Sequence, residues 1–347
     1  MKKRKVCDRQ LWLLAALSLA VFVLTFAVGR YAVRVDKTVC ILLDSALRKL
    51  SRGAWGLAQL WTDTEATIVL NVRLPRILAA ALVGAALSTA GVCYQGMFRN
   101  PMVSPDLLGA STGAGFGAAL AILCAAGYLA ITLSAFFFGL AAVLLAYLIS
   151  RKSRLEEALS MVLAGMMISS LFTAGTSFIK LVADTDNQLP AITYWLMGSL
   201  TSVRAQDVRF AALPILIGLI PLLLLRWRIN LLTLSDAEAR SMGVDTRRLR
   251  LVVIVCATLM TAASVAISGM IGWVGLVIPH FCRILFGYDY RRLLPGCVML
   301  GASFLMLVDT LARTLTTSEI PLGILTSFVG APVFLYLILK GGADRAD

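Results

Sequence analysis

Charge is sparse in this sequence and histidine nearly missing. Aspartate, glutamate, lysine and arginine make up 15% of the 347 residues, against 59% hydrophobic residues and a mean hydropathy of +0.86. That balance lies outside the range of soluble globular chains. One histidine, His280, and seven cysteines with no C-x-x-C pair give no metal-ligand spacing, and most of the cysteines sit in apolar runs as small buried hydrophobes. No G-x-x-x-x-G-K-S/T stretch exists, so any ATP used must be bound by another polypeptide. Paired carboxylates and a nucleophile with its base are also lacking, so no catalytic residue, metal site or cofactor is expected. The net charge of +13 has no aromatic interleaving of the kind a strand-binding groove needs, which argues against nucleic acid.

What is present is a series of uncharged runs. A helix needs roughly 20 apolar residues to cross the hydrocarbon. By that measure Leu11 to Gly29, Ile77 to Phe98, Ala158 to Ile179, Phe210 to Leu225, Leu293 to Val308 and Ile320 to Leu339 each supply one span. Leu107 to Ile149 supplies two that turn near Gly127, and Leu251 to Cys282 one span and a short second. The expected fold is all-α, a single polytopic membrane domain over 1–347 with about ten transmembrane helices. Leu189 to Val203 is too short to cross and is expected at the interface. Ten spans put both termini on one side, and with the N-terminus inside, twenty of the 32 lysines and arginines fall on cytoplasmic segments. The basic bias therefore predicts cytoplasmic termini, with a tail at 1–10, an outer loop at 31–72 and a cytoplasmic loop at 231–249. Arg73 and Arg76, in "RLPR", then face outward against the bias.

Three local patterns stand out. Gly109, Gly113 and Gly117 recur every four residues, which predicts one bare helix face for close packing; Ser104, Pro105 and Asp106 before them predict a capped helix start. Ser235 and Glu238 match a capping box and Gly243 a helix stop, so a short helix is predicted there, equally suited to packing and to partner docking. Asp309 and Arg313 are spaced for a local ion pair. The methionines at 161, 166 and 167 read as adaptable packing. No predicted span holds an ionisable residue at its middle, which argues against an ion-coupled carrier. A bare metal ion would want carboxylates or imidazoles along its path, so any cargo is expected to bring its own ligands.

The stretches "VRLPRILAAALVGAALSTAGVCYQGMFRNPMVSPDLLGASTGAG", "ARSMGV", "GWVGLVIPHFCR", "LLPGCVMLGAS" and "EIPLGILTSFVGAPVFLYLILK" closely resemble the FecCD-type permease subunits of ATP-binding-cassette importers for iron-siderophores, haem and cobalamin. The resemblance covers roughly residues 57 to 340. It implies a ten-helix permease in the bacterial inner membrane, paired with a second permease subunit, identical or related. Two cytoplasmic ATP-binding subunits would lie below the pair and an extracytoplasmic substrate-binding protein above. A metal chelate, foremost an iron-siderophore, would pass between the permeases. The resemblance further implies that Ser235, Glu238, Arg240, Ser241, Met242 and Gly243 form a coupling helix seated on the ATPase. It also implies that Arg73, Arg76 and Arg313 are offered to acidic residues of the binding protein.

Overall fold

In lipid every backbone polar group must be satisfied within the chain, which leaves helices as the economical solution for apolar runs of this length. The computed structural model, which describes residues 2–29, 31, 33–50, 60–154 and 156–343, is helical throughout those residues, without a strand. The first helices are α1 (Lys2–Ala27), α2 (Val35–Leu50) and α3 (Asp63–Thr67), the last continuing through a π-helical stretch, Ile68–Arg73, into α4 (Leu74–Met97). Next come α5 (Ala110–Leu123), α6 (Tyr128–Lys152), α7 (Glu157–Val182), α8 (Gln188–Leu196) and α9 (Ala205–Leu224). The chain ends with α10 (Arg226–Leu232), α11 (Asp236–Ser241), α12 (Thr246–Ser268), α13 (Val274–Phe286), α14 (Tyr290–Thr314) and α15 (Leu322–Ala343). Seven of these segments are long and apolar enough to cross a membrane, and α5, α13 and α15 are shorter apolar helices. Together they account for the ten expected spans.

Helices α4 and α12 are mostly buried, whereas α1, α6, α7 and α9 bury a third or less of their apolar length. The centre is built on backbone contact rather than large side chains. A Cβ on Gly91 would lie 1.8 Å from the Gly275 carbonyl oxygen, and one on Gly84 2.2 Å from that of Gly301, so α4 touches both α13 and α14 where only glycine fits.

Between the first two spans, the segment expected as an outer loop holds ordered helix. α2 is amphipathic, with Thr38 and Ile41 buried and Leu43 exposed; residues 32 and 51–59 of that segment lie outside the described residues, as does Met1 of the 1–10 tail. Thr62 caps α3 through a reciprocal bond pair with Glu65. The π turn that follows ends just before Pro75, whose missing N–H and bulky ring open the ladder.

The helix start expected at Ser104 is not formed as such. Ser104 makes no side-chain cap bond, and Pro105–Leu108 is a single 3₁₀ turn. Gly109, at φ +88°, closes it with an N–H bond to the Asp106 carbonyl (2.9 Å) before α5 begins at Ala110. Gly109 therefore does not share a helix face with Gly113 and Gly117: it supplies the left-handed break that only glycine adopts freely. The other two glycines sit where α5 meets α6, each with room for no Cβ beside the backbone of Phe138 and Ser134.

Candidate functional site

At the end of the bundle that the basic bias predicts to be cytoplasmic, the chain leaves α9 at Leu224 and makes two short helices. Leu231, Leu232 and Ala239 are buried and fasten α10 and α11 to the body. Ser235 caps α11: its hydroxyl accepts from the Glu238 N–H (3.3 Å), and the Glu238 carboxylate accepts from the Ser235 N–H (2.9 Å) and hydroxyl (2.7 Å). Those bonds, the one from the Ser235 hydroxyl first, hold the Glu238 carboxyl below its ordinary value. Gly243, at φ +78°, ends the helix with its N–H on the Arg240 carbonyl (2.9 Å). Ser235, Glu238, Arg240, Ser241, Met242 and Gly243 are all exposed, so the segment presents one solvent-facing surface.

Behind that surface lies an ion-pair network that sequence reading missed. Arg250, in the first turns of α12, donates to Asp236 at the start of α11 (2.6 Å) and to Glu157 at the start of α7 (3.1 Å). Arg99, after the end of α4, donates to Asp236 (2.9 Å) and to the Leu232 carbonyl (3.2 Å). The partners lie far apart in sequence, and no local spacing announces them.

At the outer ends of α1, α4 and α14 the three singled-out arginines come together, but not as exposed cations. Arg73, Arg76 and Arg313 are 4%, 8% and 7% exposed. Arg73 donates to the carbonyls of Phe26 and Tyr31. The Arg76 Nε lies 2.9 and 3.0 Å from the two oxygens of Asp309, and its Nη1 donates to Glu319 (3.0 Å). Arg313 donates to the Thr25 carbonyl (2.6 Å) and lies only within 3.9 Å of Asp309. None of the three is held out as a free cation. Their guanidinium groups are committed inside the chain, because charges at the ends of packed helices must be paired when desolvated. Asp309, expected to pair with Arg313 four residues on, belongs chiefly to Arg76 of another helix. Glu319 is the outermost member, its carboxylate accepting also from the Thr201 hydroxyl (2.6 Å).

A third feature runs along α7. Ser170, Thr173 and Ser177 form an exposed hydroxyl line in the membrane-crossing part of the helix, with Met166 and Met167 exposed before them. Each hydroxyl bonds a carbonyl of its own helix four residues back, at 3.0, 2.7 and 3.0 Å, so the groups are satisfied while remaining available as acceptors. Met161, by contrast, is buried packing. The exposed residues of α6 and α9 at membrane depth are different: Phe137, Leu144 and Leu148, and Leu213, Leu216 and Ile220, all apolar. The spacing of residues 170, 173 and 177 was readable in the sequence, but not which way it faced. A separate groove, between the end of α8, the segment joining α12 to α13, and α15, is lined by Met197, Met270, Ser327 and Phe328. Among the described residues no three His, Cys, Asp or Glu side chains converge to hold a metal ion.

The comparisons with known proteins agree with this architecture. The molybdate import system permease protein MolB of Haemophilus influenzae is 39% identical over 326 residues, covering 93% of this chain and 94% of that protein. A probable iron chelatin transport system permease protein of Helicobacter pylori is 44% identical over 273 residues, covering 79% of this chain and 82% of its own length. A solved inward-facing structure assigned to the metal-chelate type of ABC transporter superposes with a TM-score of 0.85 at 38% identity, over 96% of this chain and 99% of that one. The model of the FecCD transport family matches residues 16–340. The chain belongs to the FecCD transport family and is a multi-pass permease subunit of an ABC importer.

Proposed function

We propose that this permease carries a metal chelate, foremost an iron-siderophore, across the bacterial inner membrane. The cargo would move along the interface between two permease subunits, with α7 lining the path. The hydroxyl line of Ser170, Thr173 and Ser177 carries the reading. Each hydroxyl spends its proton on its own helix and keeps acceptor lone pairs on the outward face, which lipid cannot use and a wetted passage can. The face offers neutral acceptors and thioethers, which suit a bulky chelate that brings its own metal ligands. A bare cation would want carboxylates and an oxyanion would want cations, so the chelate is favoured over molybdate.

Below, the exposed segment from Ser235 to Gly243 seats one of two ATP-binding subunits. Above, the substrate-binding protein docks over the rim formed by Arg73, Arg76 and Arg313. Because Arg76 is already held by Asp309 and Glu319, a partner carboxylate would take the place of Glu319, the more exposed of the two. Haem and cobalamin are the alternative cargoes of the same path. The test is uptake into proteoliposomes containing the permease, its ATPase subunits and its binding protein. A ferric siderophore is expected to accumulate with ATP, and replacing Ser170 and Thr173 by leucine should lower the rate about tenfold while assembly is kept. Accumulation of molybdate but no ferric chelate, haem or cobalamin overturns the cargo assignment.

A further inference from the structure

Asp236 is the first residue of α11, Glu157 the first of α7, and Arg250 belongs to the opening turns of α12. One guanidinium thus ties the starts of α11 and α7 together, 2.6 Å from one carboxylate and 3.1 Å from the other. Its side chain is 10% exposed while those of Asp236 and Glu157 are 41% and 49% exposed. The Nε of Arg250 is buried without a partner. A guanidinium that desolvates itself and leaves one donor unmet contributes poorly to stability. Its geometry is better suited to fixing the position of two helix ends with a rigid planar fork.

Arg99 completes the arrangement from the other side. It bonds the same Asp236 oxygen, Oδ1, that Arg250 uses, and it does so from a left-handed backbone, φ +50°, a conformation that non-glycine residues seldom adopt. Two arginines, one from α12 and one from the turn after α4, therefore share one oxygen on α11, both bonds being made at once. A shift of α11 is then felt at the end of α4 through Arg99 and at the start of α7 through Arg250.

We propose that Asp236 and Arg250 form a relay that passes movement of α11 to α7, with Arg99 anchoring the same carboxylate to the end of α4, so that Arg250 is a positioning residue for ATP-driven opening of the path. This rests on the seating of an ATPase subunit against Ser235 to Gly243 proposed above.

The test uses the assembled complex with Cys7, Cys40 and Cys124 replaced by serine and spin labels at Leu181→Cys, exposed near the end of α7, and Tyr288→Cys, exposed between α13 and α14. Labelled chains are diluted with unlabelled ones so that one label pair is read per complex, since two identical permeases would each carry both. The label distance is read with and without ATP and vanadate. In parallel preparations of the same variants a Met242→Cys cross-link to the ATPase subunit reports docking. The wild type is expected to show a distance change on trapping. Arg250→Met should lose it while ATP hydrolysis stays within about twofold and the cross-link persists, and Arg250→Lys should retain part of it. Glu157→Gln, at a half-exposed site, should lose the change without risk to folding. A full distance change in Glu157→Gln or Arg250→Met, or none in a cross-linked wild type, overturns the relay. Loss of the cross-link in the wild type instead overturns the docking reading, and the relay with it.

Discussion

Arg76 and Asp309 show what a single residue contributes here. The carboxylate of Asp309 is 1% exposed and meets the Arg76 guanidinium from two sides. Removing the Asp309 charge leaves the buried Arg76 to Glu319, the more exposed of its two partners, a loss that approaches the about 3–5 kcal/mol of a broken buried pair, whereas replacing both by apolar groups of similar volume costs far less. Asp309→Asn is therefore expected to lower the melting temperature of the purified permease sharply, and Arg76→Met with Asp309→Leu to recover most of the loss. Equal melting points for Asp309→Asn and the wild type would sink this account. The pairing also marks where sequence reading stopped. "RLPR" announced an unusual outer charge, but Asp309 and Glu319 stand 233 and 243 positions away. Only the fold could show that those arginines bond carboxylates and carbonyls of this chain.

The helices themselves were largely legible. Uncharged runs gave the ten spans because lipid forces every backbone group into helix, and the pair Ser235 and Glu238 gave the start of α11. Two elements were not legible for the same physical reason: hydropathy counts length without charge. α2 carries Asp36, Lys37, Asp44 and Arg48, so its apolar face escaped a span count, and Gly109 looked like a packing glycine until its positive φ placed it outside α5. At α11 the local chemistry makes a firm forecast. Ser235→Ala removes the cap, worth about 1 kcal/mol, and should speed hydrogen exchange of the α11 amides about fivefold. The pH dependence follows from Glu238, whose folded-state value is lowered from the ordinary 4.5. Its contribution to α11 is complete above that value and is lost as pH falls through the lower folded one. Protection of α11 should thus hold at pH 6 and drop in acid, and Glu238→Gln should remove that acid step. An acid step that survives in Glu238→Gln would place its origin elsewhere.

At the scale of the whole molecule, the uncovered faces are of two kinds, and their chemistry sorts them. The mid-membrane surfaces of α6 and α9 are aliphatic and aromatic throughout, which is what lipid accepts without cost. The face of α7 mixes hydroxyls with Met166, Met167, Leu171 and Phe178, and α15 has Ser327 and Phe328 exposed. On the proposed path a single copy cannot close a passage with such a face, and a second permease would stand opposite. The two would then be switched between outward and inward openings by the ATPase subunits rather than by any charge inside the membrane. Solvent access should follow that division. In a Cys124→Ser background, Thr173→Cys is expected to react with a membrane-impermeant maleimide, from opposite sides of the membrane before and after ATP and vanadate. Leu216→Cys on α9, at comparable depth, should stay unlabelled in both states, since a thiol facing hydrocarbon is neither ionised nor reached by a polar reagent. Labelling of both positions alike would mean that the hydroxyl line of α7 faces lipid, and the passage would have to be sought on another helix.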